Sequence, residues 1–358
     1  MSASDTKPDN SSEMLPEVQP PTTGFILQLF IIPGLIVFMI VLVWLMIGWV
    51  SDASSTPQEY LAEIKKGRSN SWQQALALAQ TLQKDPQSKN DPELARQIAE
   101  YLNTLLDQAL PPEKDASSEK AKQTRDERAE GARLRQYLCI ALSNFSAIDL
   151  TLPVLLKAAN IDSGDDENEI KVRVAALNSI AKLAENSKNL ESLHRPEVLT
   201  ALLIASEDDQ SVIVNSSIMA LGMLQTDEAV ERLEEMALEG QLPNVRYNIG
   251  TALARNGRES SVELLLEMLQ PDKIDPLPDA PEERKLTAQE RQQRRELEKS
   301  LVVLAALQAV PLLVEKNEQI DRAPLIAVIE KLPASDMPSQ VQLQAKQLLR
   351  ELKKTTEE

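Results

Sequence analysis

Residues 170–186 read IKVRVAALNSIAKLAEN, and two later stretches repeat the pattern: QSVIVNSSIMALGMLQT from Gln210 and PNVRYNIGTALARNGR from Pro243. With Val172, Ile213 and Val245 at position zero, position +4 holds Ala176, Ser217 and Ile249, and position +8 holds Ile180, Leu221 and Leu253. Residues four and eight apart share one face of an α-helix, so each stretch predicts an amphipathic helix with a narrow seam. Small residues in that seam let a neighbouring helix approach closely. The same frame fits Leu134 with Leu138 and Leu142, Val302 with Ala306 and Val310, and Val341 with Ala345 and Leu349. Between these anchors lies a second set of amphipathic stretches: 150–159, 196–206, 227–238, 260–269 and 322–332. Helix pairs recurring at roughly 35–45 residues predict an all-α protein built as an α-solenoid.

Composition agrees. A quarter of the 358 residues are Leu or Ala, Gly numbers only 10, and aromatics make up 3%. Sheets favour β-branched and aromatic residues, and phosphate or dinucleotide sites need glycine loops, so both are disfavoured. Lys and Arg number 38 against 55 Asp and Glu, a net charge of −17. That balance argues against a nucleic-acid partner, because phosphate binding needs a basic surface. One Cys and one His exclude a disulfide framework and nearly all structural zinc sites. The chain has no Gly-x-Ser-x-Gly, P-loop, Rossmann or His-Glu-x-x-His motif. No enzymatic activity, cofactor or metal is expected.

Phe25 to Val50 is uncharged, with Gln28 its only strongly polar side chain. About 20 apolar helical residues cross a bilayer core, so this stretch predicts a single N-terminal transmembrane helix over 24–50. Trp44 and Trp49 stand toward one end, where amphipathic rings favour the interface. A cleaved signal peptide fits less well: the preceding tail is acidic, and Val50-Ser51-Asp52 is a poor cleavage site. Lys65, Lys66 and Arg68 bias the C-terminal part toward the cytoplasm, with the N-terminus outside. The expected organisation is an acidic disordered tail (1–23), the span, a linker (51–56) and a helical cap (57–110). A charged linker (111–130), a repeat region (131–352) with an insertion at 271–299, and a polar tail (353–358) follow. Mixed charge runs such as 111–130 are solvated loops or surface helices unless they bind a partner.

Val172-Arg173 and Val245-Arg246 open a pattern V-R-x-x-A-x-x-x-I/L-A-x-L that resembles HEAT repeats, with a weaker version at Trp72-Gln73-Gln74-Ala75-Leu76. The resemblance covers about 130–352. The chain departs from it where Ile213-Val214 lacks the Arg, where the Val302 unit lacks Val-Arg, and in the long gap before that unit. With the N-terminal span, the whole is similar to membrane-anchored HEAT-repeat proteins of bacteria, which implies an inner-membrane location. The resemblance implies that Arg173 and Arg246 pair with acids of a preceding turn or neighbouring repeat. It also implies that the second helix of each pair lines a concave, protein-binding surface. Positions +2, +6 and +10 face away from the seam, which nominates Asn178, Lys182, Asn215, Met219, Tyr247, Thr251 and Arg255 as partner contacts. Val174 and Met223 share those positions and equally fit a wider core stripe.

Three further features carry less. His194 stands alone and fits a surface or capping role, and Cys139, between Leu138 and Ile140, fits a small buried hydrophobe. Asp162, Asp165, Asp166, Glu167 and Glu169 lack EF-hand spacing and suit a helix N-terminus. The leading expectation is a non-enzymatic, membrane-tethered scaffold for a protein partner. A bilin-lyase-like enzyme with HEAT-like repeats, by fold analogy, and an accessory subunit of a transporter or secretion complex are the alternatives.

Overall fold

A computed structural model of the chain describes residues 37–41, 56–108, 119–187, 190–239, 241–274 and 286–357. The described residues are helices joined by short turns, with no strand among them. Helix starts follow from local chemistry. Pro92, Pro196 and Pro243 each open a helix, where the missing N–H costs nothing. Asp91 accepts from Glu93 N at 3.1 Å and Leu94 N at 3.0 Å, and Thr287 with Glu290 closes a capping box.

From Pro57 the helices fall into two rows, numbered in chain order. The odd row holds α1 (Pro57–Lys65), α3 (Pro92–Asp107), α5 (Ile148–Ala159), α7 (Pro196–Ser206), α9 (Asp227–Leu238), α11 (Ser261–Met268) and α13 (Ala323–Ile329). The even row holds α2 (Ser71–Lys84), α4 (Glu119–Leu142), α6 (Glu167–Asn186), α8 (Ser211–Leu224), α10 (Pro243–Arg255), α12 (Ala288–Lys316) and α14 (Ser339–Glu357). Each even helix packs on the next even helix, from α2 to α14, and on its odd partner. Contacts in the odd row likewise run α1–α3–α5–α7–α9 and α11–α13. Each helix therefore packs on its partner in the pair and on the next helix of its own row, except that α9 does not pack extensively on α11.

The seam explains the stacking. All the zero, +4 and +8 residues of α4, α6, α8 and α10 are buried, from Leu134 at 9% to Val172 and Ile213 at 0% exposure. Between α8 and α10 the approach is closest: a Cβ on Gly222 would lie 2.8 Å from Ala252 Cβ and 3.1 Å from its Cα. The apolar interior forms two clusters, and α10 feeds both, with Ile249 in one and Ala254 in the other.

Several boundaries differ from the sequence reading. Residues 119–130 and 288–299, read as linker and insertion, are the first turns of α4 and α12. They carry no apolar stripe and are held by i,i+4 pairs such as Gln123–Glu127 and Arg294–Glu298. In α12 the seam slips by one: Val303 is buried and Val302 only half-buried. In α14, Leu348 is buried and Leu349 half-buried. The helix α14 also continues through Glu357, into the expected tail.

Of the expected span 24–50, only residues 37–41 are described; they are helical, and Val37, Phe38, Met39, Ile40 and Val41 are all exposed. The rest of the span, the tail 1–23 and linker residues 51–55 lie outside the described residues. Among the described residues, α12 is the one helix long and apolar enough to cross a membrane, with a mean hydropathy of 1.8 over its apolar window. That window is 44% buried, and Val303, Ala306, Val310 and Leu313 face the core shared with α14, as a packed helix requires.

Candidate functional site

Arginines tie successive helices together. Arg135 of α4 donates to Glu169 of α6 through two bonds, of 2.9 and 2.6 Å, and both side chains are almost wholly buried. Arg173 of α6 pairs with Asp208 at 2.8 Å, in the turn before α8, and donates to Ala159 O and Ser163 Oγ. Arg246 of α10 pairs with Glu267 of α11 and lies 5.8 Å from the centre of the Tyr247 ring. Arg232 of α9 meets Glu235 and Glu239, each at 3.2 Å. Arg135, Arg173 and Arg246 thus satisfy carboxylates across helix boundaries, where each lost partner would strand a charge, whereas Arg232 reaches the preceding odd helix through Ser206 Oγ at 3.1 Å.

The even helices leave an outward face, and two cavities open on it. The larger, about 620 Å³, lies between α4, α6 and α8, with Ile140, Ile170, Val174 and Val212 as its apolar lining and Lys182 among its polar residues. The smaller, about 350 Å³, lies between α6, α8 and α10 and is lined by Asn215, Met219, Asn248, Thr251 and Arg255. Asn178 lines both, so the cavities adjoin. Lys182 donates to Asn144 Oδ1 at 3.0 Å; its burial, and repulsion from Lys89, hold its amine below the ordinary lysine value. Asn248 donates to Asn215 Oδ1 at 2.8 Å, linking α10 to α8 across the smaller cavity.

Six of the nominated residues thus line this face: Asn178, Lys182, Asn215, Met219, Thr251 and Arg255. Tyr247 does not. It is 3% exposed, its ring sits in the second apolar cluster, and its hydroxyl donates to Glu267 at 2.9 Å. A hydroxyl on an apolar ring can be buried whenever an acceptor is in reach, and α11 supplies one. Of the two residues with a double reading, Val174 lines the larger cavity, and Met223, 8% exposed, belongs to the core and also lines the smaller cavity. The nominated set omits Ile140, which stands at +6 from Leu134, where the same frame would have found it. Asn248, at +3, gave no such signal.

The remaining sequence features serve the fold. His194 Nε2 donates to Leu224 O at 2.9 Å, capping the end of α8 where Gln225 turns left-handed at φ 56°. Burial pushes the Cys139 thiol up to about 12, and its side chain is fully enclosed. The acidic cluster is divided among local roles: Asp166 caps α6 and pairs with Arg128, Glu169 holds Arg135, and Glu167 faces Lys171 at 3.7 Å. No group of three His, Cys, Asp or Glu among the described residues could hold a metal ion. Comparison with protein-family models, curated proteins and solved structures gave no match.

Proposed function

We propose that this protein is a non-enzymatic, membrane-tethered scaffold whose helix pairs form a HEAT-like α-solenoid and whose even-row face binds a protein partner. The observation that carries the reading is the pair of adjoining cavities on α4, α6, α8 and α10, lined by six residues that the repeat frame nominates independently. The neighbour-only packing of the rows supports the solenoid, since each repeat of such an array buries its face only against the next. Arg173 on Asp208 and Arg246 on Glu267 supply the inter-helix arginine contacts that the HEAT resemblance implies. Exposed Val37–Val41 side chains suit a lipid-facing helix, and residues 25–50 are the proposed tether, with the array on the cytoplasmic side.

The test is purification of the full chain in mild detergent, with co-purifying proteins identified by mass spectrometry. The Asn215→Arg/Met219→Glu variant should lose specific partners while keeping its melting transition. A Glu231→Arg control, on the exposed side of α9, should keep them. Partners retained by the face variant, or lost only from the control, would overturn the placement of the surface.

A further inference from the structure

Arg255 is half-buried at the end of α10 and has no hydrogen-bond or ion-pair partner among the described residues. Arg135, Arg173 and Arg246, which bridge helices elsewhere in the array, each reach a carboxylate, and Arg232 reaches Glu235 on its own helix. The contrast is sharpened by composition. In a chain of net charge −17, the smaller cavity presents this guanidinium and no Asp or Glu side chain. A partly desolvated guanidinium recovers most when a carboxylate binds its planar fork through two charge-assisted bonds.

The amides around it match a peptide main chain. Asn248 and Asn215 share one hydrogen bond, and whichever way each amide is turned, that leaves a donor on one and an acceptor on the other. Asn178, at the junction of the cavities, adds a second donor and acceptor pair. An extended peptide offers one N–H and one C=O per residue, so this lining suits backbone recognition rather than a phosphate, which only accepts. Beyond Asn178 the cavity becomes mainly apolar, with Ile140, Val174 and Val212, and its charged lining is Lys182 together with Glu167 and Lys171, which face each other at 3.7 Å.

We propose that the adjoining cavities receive one extended, acidic peptide segment of a protein partner, with a carboxylate on Arg255 and an apolar side chain between Ile140, Val174 and Val212. The inference rests on the scaffold reading above and adds the chemistry of the partner. Packed helices lie roughly 8–10 Å apart, so the step from α6 to α10 is about 16–20 Å, or five to six extended residues. The acidic residue should therefore stand about that far from the apolar anchor.

The full chain, held in detergent micelles, is panned against a random twelve-residue peptide library displayed on phage. Enriched peptides should carry Asp or Glu about five or six residues from a Leu, Ile, Val or Phe. Synthesised singly, they should bind about tenfold or more weakly to the Arg255→Glu chain, the cost of one charged hydrogen bond reversed in sign. Panning on that variant should instead enrich Lys or Arg. Arg255→Gln, with its melting transition checked, separates loss of charge from damage to the fold. An enriched pool without acidic bias, no enrichment at all, or equal binding by a folded Arg255→Glu chain would overturn the proposal. If the Asn215→Arg/Met219→Glu chain still loses its partners in that case, the scaffold face stands and only the acidic-peptide class falls.

Discussion

The Arg135–Glu169 pair offers the sharpest energetic test of how α4 and α6 are joined. The two side chains are 6% and 5% exposed and meet through bonds of 2.9 and 2.6 Å, with Arg135 Nε also directed at Gly131 O, 3.4 Å away. Removing one member of so enclosed a pair leaves the other charge without compensation, at about 3–5 kcal/mol. Glu169→Gln keeps the shape of the carboxylate, so its effect isolates the charge. Replacing both, as Arg135→Met/Glu169→Leu, removes the stranded charge and should recover most of the loss, because a buried ion pair is worth little more than apolar residues of similar volume. Hydrogen exchange on residues 57–358, which make one compact unit, resolves where the loss falls. Amides of α4 and α6 that exchange by opening of this junction should speed up by about two to four powers of ten in Glu169→Gln. Those of α14, several interfaces away, should change little, since coupling in a stacked array passes from neighbour to neighbour. Unchanged protection in Glu169→Gln would refute the burial argument. A double variant as labile as the single one would refute the assignment of the cost to a stranded charge.

Other outcomes follow from single sites. Gly222→Ala should destabilise by about 1 kcal/mol, because the helical gain over glycine is smaller than the cost of pushing α8 off Ala252. Gly131→Ala, where a Cβ meets nothing within 4 Å, should stabilise by about 0.5–1 kcal/mol; urea midpoints that move in the same direction for both would contradict this. Burial alone would raise the Asp166 carboxyl, but bonds from Asn168 N–H and the Arg128 guanidinium outweigh it and hold the group below its ordinary 3.8. A depressed folded value contributes stability above the unfolded pKa that is lost as pH falls through the folded one. Asp166→Asn should therefore flatten stability against pH below about 4, and an unaltered acid limb would count against the pairing. Finally, the Cys139 thiol, raised to about 12, should resist a thiol reagent at neutral pH until α4 opens, and rapid labelling of the native chain would be inconsistent with its enclosure.

The helices were legible because one pattern recurs: Val172, Ile213 and Val245 announce a seam whose +4 and +8 partners are all buried. Where that stripe is missing, periodicity is silent, and the charged first turns of α4 and α12 read equally well as loop or surface helix. The slip from Val302 to Val303 arises in a 29-residue helix whose first turns lack any apolar reference. Site residues were legible to the extent that a helix face predicts exposure, which worked for Met219, 44% exposed, and left Asn215 and Thr251 half-buried. It failed for Tyr247, whose burial depends on Glu267, 20 residues away on another helix. The Arg135–Glu169 pair spans 34 residues and carries no local signal at all.

The central claim, that the even-row face is where a protein partner binds, is tested most directly by photo-cross-linking in intact membranes. A photoreactive residue is placed in the full chain at Met219 or Thr251, on the cavity face, and at Leu238, which is 90% exposed on the odd row. The account predicts a discrete cross-linked partner from both cavity positions and none from Leu238. Cross-links from Leu238 alone, or from none of the three, would contradict it.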